Sequence, residues 1–399
     1  MEIKVNLCIS GTIIIDGQES LKLTSTPVLN GQVGVEYPEF QLIASGGAGG
    51  YVYSVVEGSL PSGLSLNTIS GVVSGTPTTQ GSSTGIVFGV SDTESNTATL
   101  GPFTIDIAQP SAPVIVLTNT AMTEWQVPLD WNNAENTIEL VGGGRSGADG
   151  NTTHGGRGGE GGSYSRIENV TLTPGSTVSI QVGAAGPSGG SGNTQPSAGG
   201  DSWIENNSSV VIARARGGGS VSSNIGDFLF NGGSTSTART QVDEAGSAGA
   251  AAAGPNGTGG NGGTTTGSDQ HYAAGGGGGA NGGSNGAGSV SGFTGTNGGN
   301  NRLGAGGGAG GTINNPGSPG SNGGGGGGAG GDADGGAGSQ DTIWESTYGP
   351  GSGGGGGSYG AHNGGAGGGY GGGGGGGGRN GNGGAGTQGI IVITYTPTS

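Results

Sequence analysis

The sequence predicts an all-β protein: a β-sandwich, followed by a glycine-rich domain in which packed polyglycine-II helices are braced by a second β-sandwich. Three observations carry this. Short apolar runs recur between Gly and Pro turns from Pro27 to Ile107, alternating with the period of half-buried strands. Of the 108 glycines only 16 precede Val141, and beyond it runs such as 275–279, 323–328 and 371–378 separate short polar inserts. That block is bracketed by two apolar strands, Thr137-Ile-Glu-Leu-Val141 before it and Gly389-Ile-Ile-Val-Ile-Thr-Tyr395 after it.

Ordering glycine costs more backbone entropy than ordering any other residue, and a block so poor in side chains has no conventional core to offset that cost. Glycine-rich composition most often means a flexible linker. The alternative is a set of extended threads with three residues per turn and no internal hydrogen bonds, whose outward N–H and C=O groups pair with neighbouring threads. Charged residues are 9% of the chain, few for a tail held open by repulsion. The inserts also carry isolated large side chains, Trp203, Phe228, Phe293 and Trp344, and the bracketing strands can pair to clamp the block. These features favour the bundle. Collagen is excluded: residues 155–163 keep a three-residue period, but it then lapses and proline totals 16, whereas a triple helix needs glycine at every third position.

In chain order, residues 1–26 form an N-terminal β segment. Ile3, Val5, Leu7 and Ile9 alternate with polar neighbours, and Thr12-Ile-Ile-Ile15 runs into the hairpin signal Asp16-Gly17 before Leu21 and Leu23. This segment reads equally as an attachment to a larger assembly or as a plain sheet edge. Residues 27–108 give the first sandwich, with Tyr51, Tyr53 and Val55 on one face, as are Ile86, Phe88 and Val90, and Phe103, Ile105 and Ile107. Its motifs Leu60-Pro-Ser-Gly-Leu-Ser-Leu66, Ser70-Gly71, Val73-Ser-Gly-Thr-Pro-Thr78, Gly81 and Val90-Ser-Asp92 resemble the immunoglobulin-like repeat of bacterial surface and phage proteins, which implies an Ig-like β-sandwich. Asp92, with Glu94 and Glu36, is weighed as a calcium ligand and read as solvated surface, there being no dense acidic loop.

Gln109-Pro-Ser-Ala-Pro113 is a short stiff linker, and residues 114–399 form the glycine-rich domain. Strands at 114–117, around Trp125 and Trp131, and at 169–173, 177–183 and 210–213 thread through it as the bracing sandwich. The order Trp125-x-Val-Pro128, Val141-Gly-Gly-Gly144, Thr173-Pro-Gly175 before Val182-Gly183, Ala215-Arg-Gly-Gly-Gly219 and Gly383-Gly-Ala-Gly-x-x-Gly-Ile-Ile-Val-Ile-Thr-Tyr395 resembles the glycine-rich domain of bacteriophage tail proteins. It is also similar in architecture to the glycine-rich ectodomain of the anaplastic lymphoma kinase receptors, although that family is disulfide-bonded and this chain has one cysteine, Cys8.

Chemistry is scarce. The net charge of −16 disfavours nucleic acid, and no apolar stretch is long enough for a membrane helix. The N-terminus lacks the clean apolar core of a signal peptide, so synthesis in the host cytoplasm is expected. Neither lysine, Lys4 nor Lys22, follows a glycine-rich turn, which removes a Walker loop, and Gly-x-Gly-x-x-Gly matches carry no information in this composition. His154, His271 and His362 are far apart without metal spacing. Asp332-Ala-Asp334 and Asp341 with Glu345 are the carboxylate clusters of the block; paired acids can hydrolyse glycans, but loop acids are the simpler reading. No enzyme, cofactor or metal is expected.

The resemblances imply a virion surface protein: a tail fibre or tail-tip adhesin that joins other virion proteins through its N-terminal region and binds a host cell-surface receptor, a glycan or an outer-membrane protein. The alternative is a head or tail decoration without receptor binding. Function on rigid frames concentrates in displayed loops, and aromatic side chains combine large contact area with a polar handle. The candidate receptor-binding residues are therefore His271, Tyr272, Phe293, Arg302, Trp344, Tyr348, Tyr359, His362 and Tyr370. Threads of similar length turn at shared levels, so the inserts at Tyr272, Trp344, Tyr348, Tyr359 and Tyr370 are expected at one end or edge.

Overall fold

A computed structural model describes residues 5–7, 13–15, 19–110, 112–190, 194–235, 245–265, 273–289, 292–342, 344–345 and 347–398. Among them every regular element is a β-strand, and the chain divides into two compact units, Met1–Ala112 with Thr396–Ser399, and Pro113–Tyr395.

In the first unit a four-stranded sheet runs in the order Asn30–Gln32, Thr97–Ala108, Gly81–Ser91, Val52–Glu57. A three-stranded sheet, Phe40–Gln41, Val72–Gly75 and Leu64–Leu66, and the pair Lys22–Thr24 with Ile43–Ser45 complete it. Alternation does the work: Tyr53, Ile86, Phe88, Val90, Ile105 and Ile107 enter one core with Phe40, Leu42 and Val73. Lys22–Thr24, read from sequence as part of the N-terminal segment, belongs to this unit. Val5–Leu7 pairs with Ile13–Ile15, so the hairpin closes within residues 5–15 rather than onto Leu21 and Leu23.

The second unit is a sandwich continued by a glycine bundle. Its five-stranded sheet has the order Val114–Leu117, Ile390–Tyr395, Asn136–Val141, Tyr164–Glu168, Phe228–Phe230, and its four-stranded sheet Glu124–Gln126, Thr177–Gln181, Ser202–Glu205, Val211–Ala215. Leu117, Ile138, Leu140, Ile391, Ile393 and Tyr395 meet Trp125, Val178, Ile180 and Ile204 in the core between them. The bracketing strands pair antiparallel from Val141↔Ile390 to Asn136↔Tyr395, so the chain enters and leaves the glycine block at adjacent points. Ile390–Tyr395 is buried on both faces: Ile391 and Ile393 point into the sandwich, while Ile390 and Val392 join Val141, Tyr164, Ala252 and Ala253 against the bundle.

The threads pack as the three-residue period requires. Gly373 and Gly376 donate to Ala250 and Ser247, Gly374 and Gly377 to Arg145 and Ala148, and Gly375 and Gly378 to Gly365 and His362, at 2.8–3.1 Å. The carbonyls of the same thread accept in rotation from Gly354 and Gly357, from Gly159 and Gly156, and from Gly384 and Gly381. One thread is thus bonded to six neighbours, and threads 274–280 and 351–357 are surrounded likewise. A Cβ added at Gly374, Gly375 or Gly376 would stand 1.9–2.0 Å from the carbonyl oxygen of Gly384, Gly355 or Gly156, backbone that has nowhere to go. The reversals use the residue types that tolerate a left-handed backbone: Asn281, Asn314, Asn322, Asp332 and Asn380 have φ of 48–65°.

Surface threads lack partners on one side, and Asx side chains supply them. Asn261 Oδ1 accepts from the Ser234 N–H at 2.8 Å and Asn285 Oδ1 from that of Asn261 at 2.9 Å. In a second row Asp149 accepts from Gly383, Asn363 from Asn382, and Asp334 from Asn363, at 2.7–3.0 Å. Inside the bundle Ser352 and Ser358, both fully buried, spend their hydroxyls on Gly324 and Ala333.

Gly374→Ala is expected to destabilise the second unit by about 3 kcal/mol or more, since overpacking against backbone cannot relax. Gly304→Asn is expected to be nearly neutral, because Gly304 has φ +80° and open space around it. Calorimetry of the two variants checks both, the first unit's transition serving as internal reference.

Candidate functional site

The hydrogen-bond levels sort the candidate residues. Gly378 donates to His362 O, Ser358 to Ala333 O, Gly331 to Phe293 O and Asn380 to Asn151 O, which puts those reversals at the end of the bundle away from the sandwich. Gly162 donates to Gly371 O, Gly351 to Tyr370 O and Asp341 to Pro350 O, and Asn281 bonds Asp341, which puts those segments at the sandwich end. The expected single gathering is therefore corrected. Because each thread spans the bundle and turns back, successive inserts alternate between the ends: Phe293, Tyr359 and His362 lie at the far end, Arg302, Trp344, Tyr348 and Tyr370 at the sandwich end. His271 and Tyr272 lie outside the described residues.

At the far end Phe293 is 49% exposed. Tyr359 is half-buried. The His362 ring sits between two carboxylates, with Nε2 2.8 Å from Asp332 Oδ1 and Nδ1 3.7 Å from Asp334 Oδ1. The Asp332-Ala-Asp334 pair, set aside in the sequence as loop acids, thus orients this ring, and Asp334 also accepts from Asn363. Among the described residues no group of His, Cys, Asp and Glu has the arrangement of a metal site.

The sandwich end holds a denser cluster. Alternation along the five-stranded sheet sets Thr137, Glu139 and Val141 opposite Glu168, Arg166 and Tyr164, and the last two opposite Phe228 and Phe230. This is the face turned away from the sandwich core. The insert that begins at the fully buried Asp341 laps over it. Trp344 packs edge-on against Tyr164, ring centroids 6.0 Å apart, and against Tyr348 at 5.4 Å; Tyr370 and Phe230 close the cluster around Val141 and Ile390. Arg302 is exposed and stands apart, its Cδ 3.6 Å from where a Cβ on Gly282 would lie.

Glu139 is the charge at the centre. The Tyr164 hydroxyl donates to its carboxylate, and so does the Trp344 side chain. Burial nonetheless outweighs these bonds and the nearby Arg166, holding the Glu139 pKa above the ordinary carboxylate value. Burial first, then Glu139, pushes the Tyr164 phenol up. Burial, with Glu345 and Glu139 behind it, does the same to Tyr348. The Arg166 guanidinium carbon lies over the Phe228 ring, 5.3 Å from its centroid, and Arg166 pairs with Glu168, while its Nε is buried without a hydrogen-bond partner.

In the first unit Asp92 is 7% exposed and accepts from the N–H groups of Ala48, Glu94 and Asn96 and from the Asn96 amide, at 2.8–3.0 Å. The Ala48 bond leads the causes that hold its pKa low. Its two oxygens tie a loop together, a structural duty that the reading of solvated surface did not anticipate. Residues 23–108 match the family model described as "Putative Ig domain". The first unit carries an Ig-like domain. The match spans the four-stranded and three-stranded sheets and stops at Ala108, before the glycine-rich unit. No curated protein matches the chain.

Sequence reasoning singled out Trp344, Tyr348 and Tyr370, and noted Phe228 as an isolated large side chain, but missed Glu139 and Arg166. The signal was present. Glu139 alternates with Ile138 and Leu140, and Arg166 with Ser165 and Ile167, so each must face away from the sandwich core.

The raised Glu139 pKa carries a sign. The folded state holds that proton where the unfolded chain has lost it, so stability falls as pH rises through the folded pKa. Glu139→Gln is therefore expected to melt higher than the parent at neutral pH and level with it below the carboxylate range. Thermal melts across pH check this; a variant that melts lower at neutral pH contradicts it.

Proposed function

We propose that this chain is a bacteriophage virion surface protein, a tail-fibre or tail-tip adhesin that binds a host cell-surface receptor through loops held on a rigid glycine bundle. One observation carries the reading: the six-neighbour network makes the bundle a stiff body, and its reversals bring Phe293, Tyr359 and His362 together at the end away from the sandwich. Such a body loses little entropy when its loops engage a receptor, so weak contacts convert to affinity more fully. The likeness of the motifs along 120–396 to the glycine-rich domain of phage tail proteins supports it, as does the Ig-like domain, a module of phage and bacterial surface proteins. In this reading the N-terminal region joins other virion proteins, the receptor is a glycan or an outer-membrane protein, and the chain performs no catalysis.

Binding of fluorescently labelled protein to a panel of bacterial strains tests this. The triple variant Phe293→Ala, Tyr359→Ala, His362→Ala is expected to lose at least about tenfold in apparent affinity with unchanged melting, since buried aromatic anchors carry much of a binding energy. Unchanged binding by the folded variant removes the far end from recognition. A folded parent that binds no cell points instead to a structural decoration of the virion.

A further inference from the structure

The ledge on the five-stranded sheet beside Trp344 and Tyr348 has the makings of a second site. Its wall is aromatic: Trp344 and Tyr348, perpendicular to each other and half-buried. Its floor carries Glu139, Arg166 and Glu168 on adjacent strands. Phe228, 50% exposed, forms the far rim and underlies the guanidinium.

We infer that this ledge is a saccharide-binding site for a neutral pyranose. Four observations lead there. Aromatic faces beside fixed hydrogen-bonding groups match a pyranose, which presents an apolar face and a ring of hydroxyls. The polar groups are set in advance: Arg166 is pinned between Glu168 and Phe228, and Glu139 between Tyr164 and Trp344, so little is lost in ordering them around a ligand. The Arg166 and Glu168 side chains are 36% and 35% exposed, so the outer guanidinium nitrogens can donate to a sugar oxygen and Glu168 can accept from a hydroxyl. Finally, the charge excludes acidic sugars. Glu139, Glu168 and Glu345 outnumber the one guanidinium, and the whole chain bears −16, so a sialic or uronic acid would be repelled.

The site stands apart from the far-end loops, and free glycosides read it without any cell. Saturation-transfer NMR and titration of the full chain with methyl α-glucopyranoside, methyl β-galactopyranoside, methyl α-mannopyranoside and N-acetylneuraminic acid test the inference. At least one neutral glycoside is expected to bind weakly, with no transfer to N-acetylneuraminic acid. Trp344→Ala and Arg166→Gln are each expected to weaken that binding at least about tenfold, a loss of about 1.4 kcal/mol. The far-end triple variant is expected to bind the glycoside as the parent does. If Trp344→Ala alters the melting of the second unit, Arg166→Gln decides. No transfer from any neutral glycoside, binding of the acidic sugar alone, or unchanged binding in the folded Arg166→Gln variant overturns the site. Glycoside binding by a protein that fails to bind cells leaves the site standing and removes the adhesin reading instead.

Discussion

The bundle of the second unit depends on backbone hydrogen bonds passed between threads that glycine allows to lie so close. Each such bond contributes about 1 kcal/mol net, and each one left unmade in the interior costs more. Within the bundle the donors of 373–378 all find carbonyls on three surrounding threads. No apolar core of the usual kind is needed, because what is buried is backbone that is already satisfied. The cost is glycine's conformational entropy, and it is met by making the network continuous rather than local.

That constraint propagates. Where one thread carries alanine, as at Ala248 and Ala250–Ala253, all fully buried, the facing positions must be glycine; a Cβ on Gly371 would stand 3.0 Å from that of Ala252. At the surface, where a neighbour is missing, an Asn or Asp oxygen takes its place. At the sandwich the strand Ile390–Tyr395 converts one kind of stability into the other, with Ile391 and Ile393 in an apolar core and Ile390 and Val392 against the Ala252–Ala253 thread. The aromatic insert closes that same seam, so the proposed saccharide ledge and a structural joint share Trp344 and Tyr348.

Much of this was legible in the sequence. Period-2 alternation placed the strands of the Ig-like domain, and the apolar segments at 137–141 and 390–395 announced their own pairing. The glycine runs together with a low charge fraction pointed to threads. What escaped was lateral order. Which thread neighbours which is decided by hundreds of weak, similar contacts, and glycine carries no side chain to encode it. For that reason the alternation of inserts between two ends was not foreseen, and Tyr359 with His362 parted from Trp344 with Tyr348. Glu139 escaped for a different reason: a single acid in an apolar strand looks like solvated alternation until a distant insert, some two hundred residues later, covers it.

The most direct measurement is native-state hydrogen exchange at the amides of Gly373–Gly378. If the threads form one hydrogen-bonded body, these six amides exchange together, at the rate set by unfolding of the whole second unit and in step with the strand Asn136–Val141. Exchange at free-chain rates while that strand stays protected would contradict the account, since the glycines would then be a tether and not a bundle.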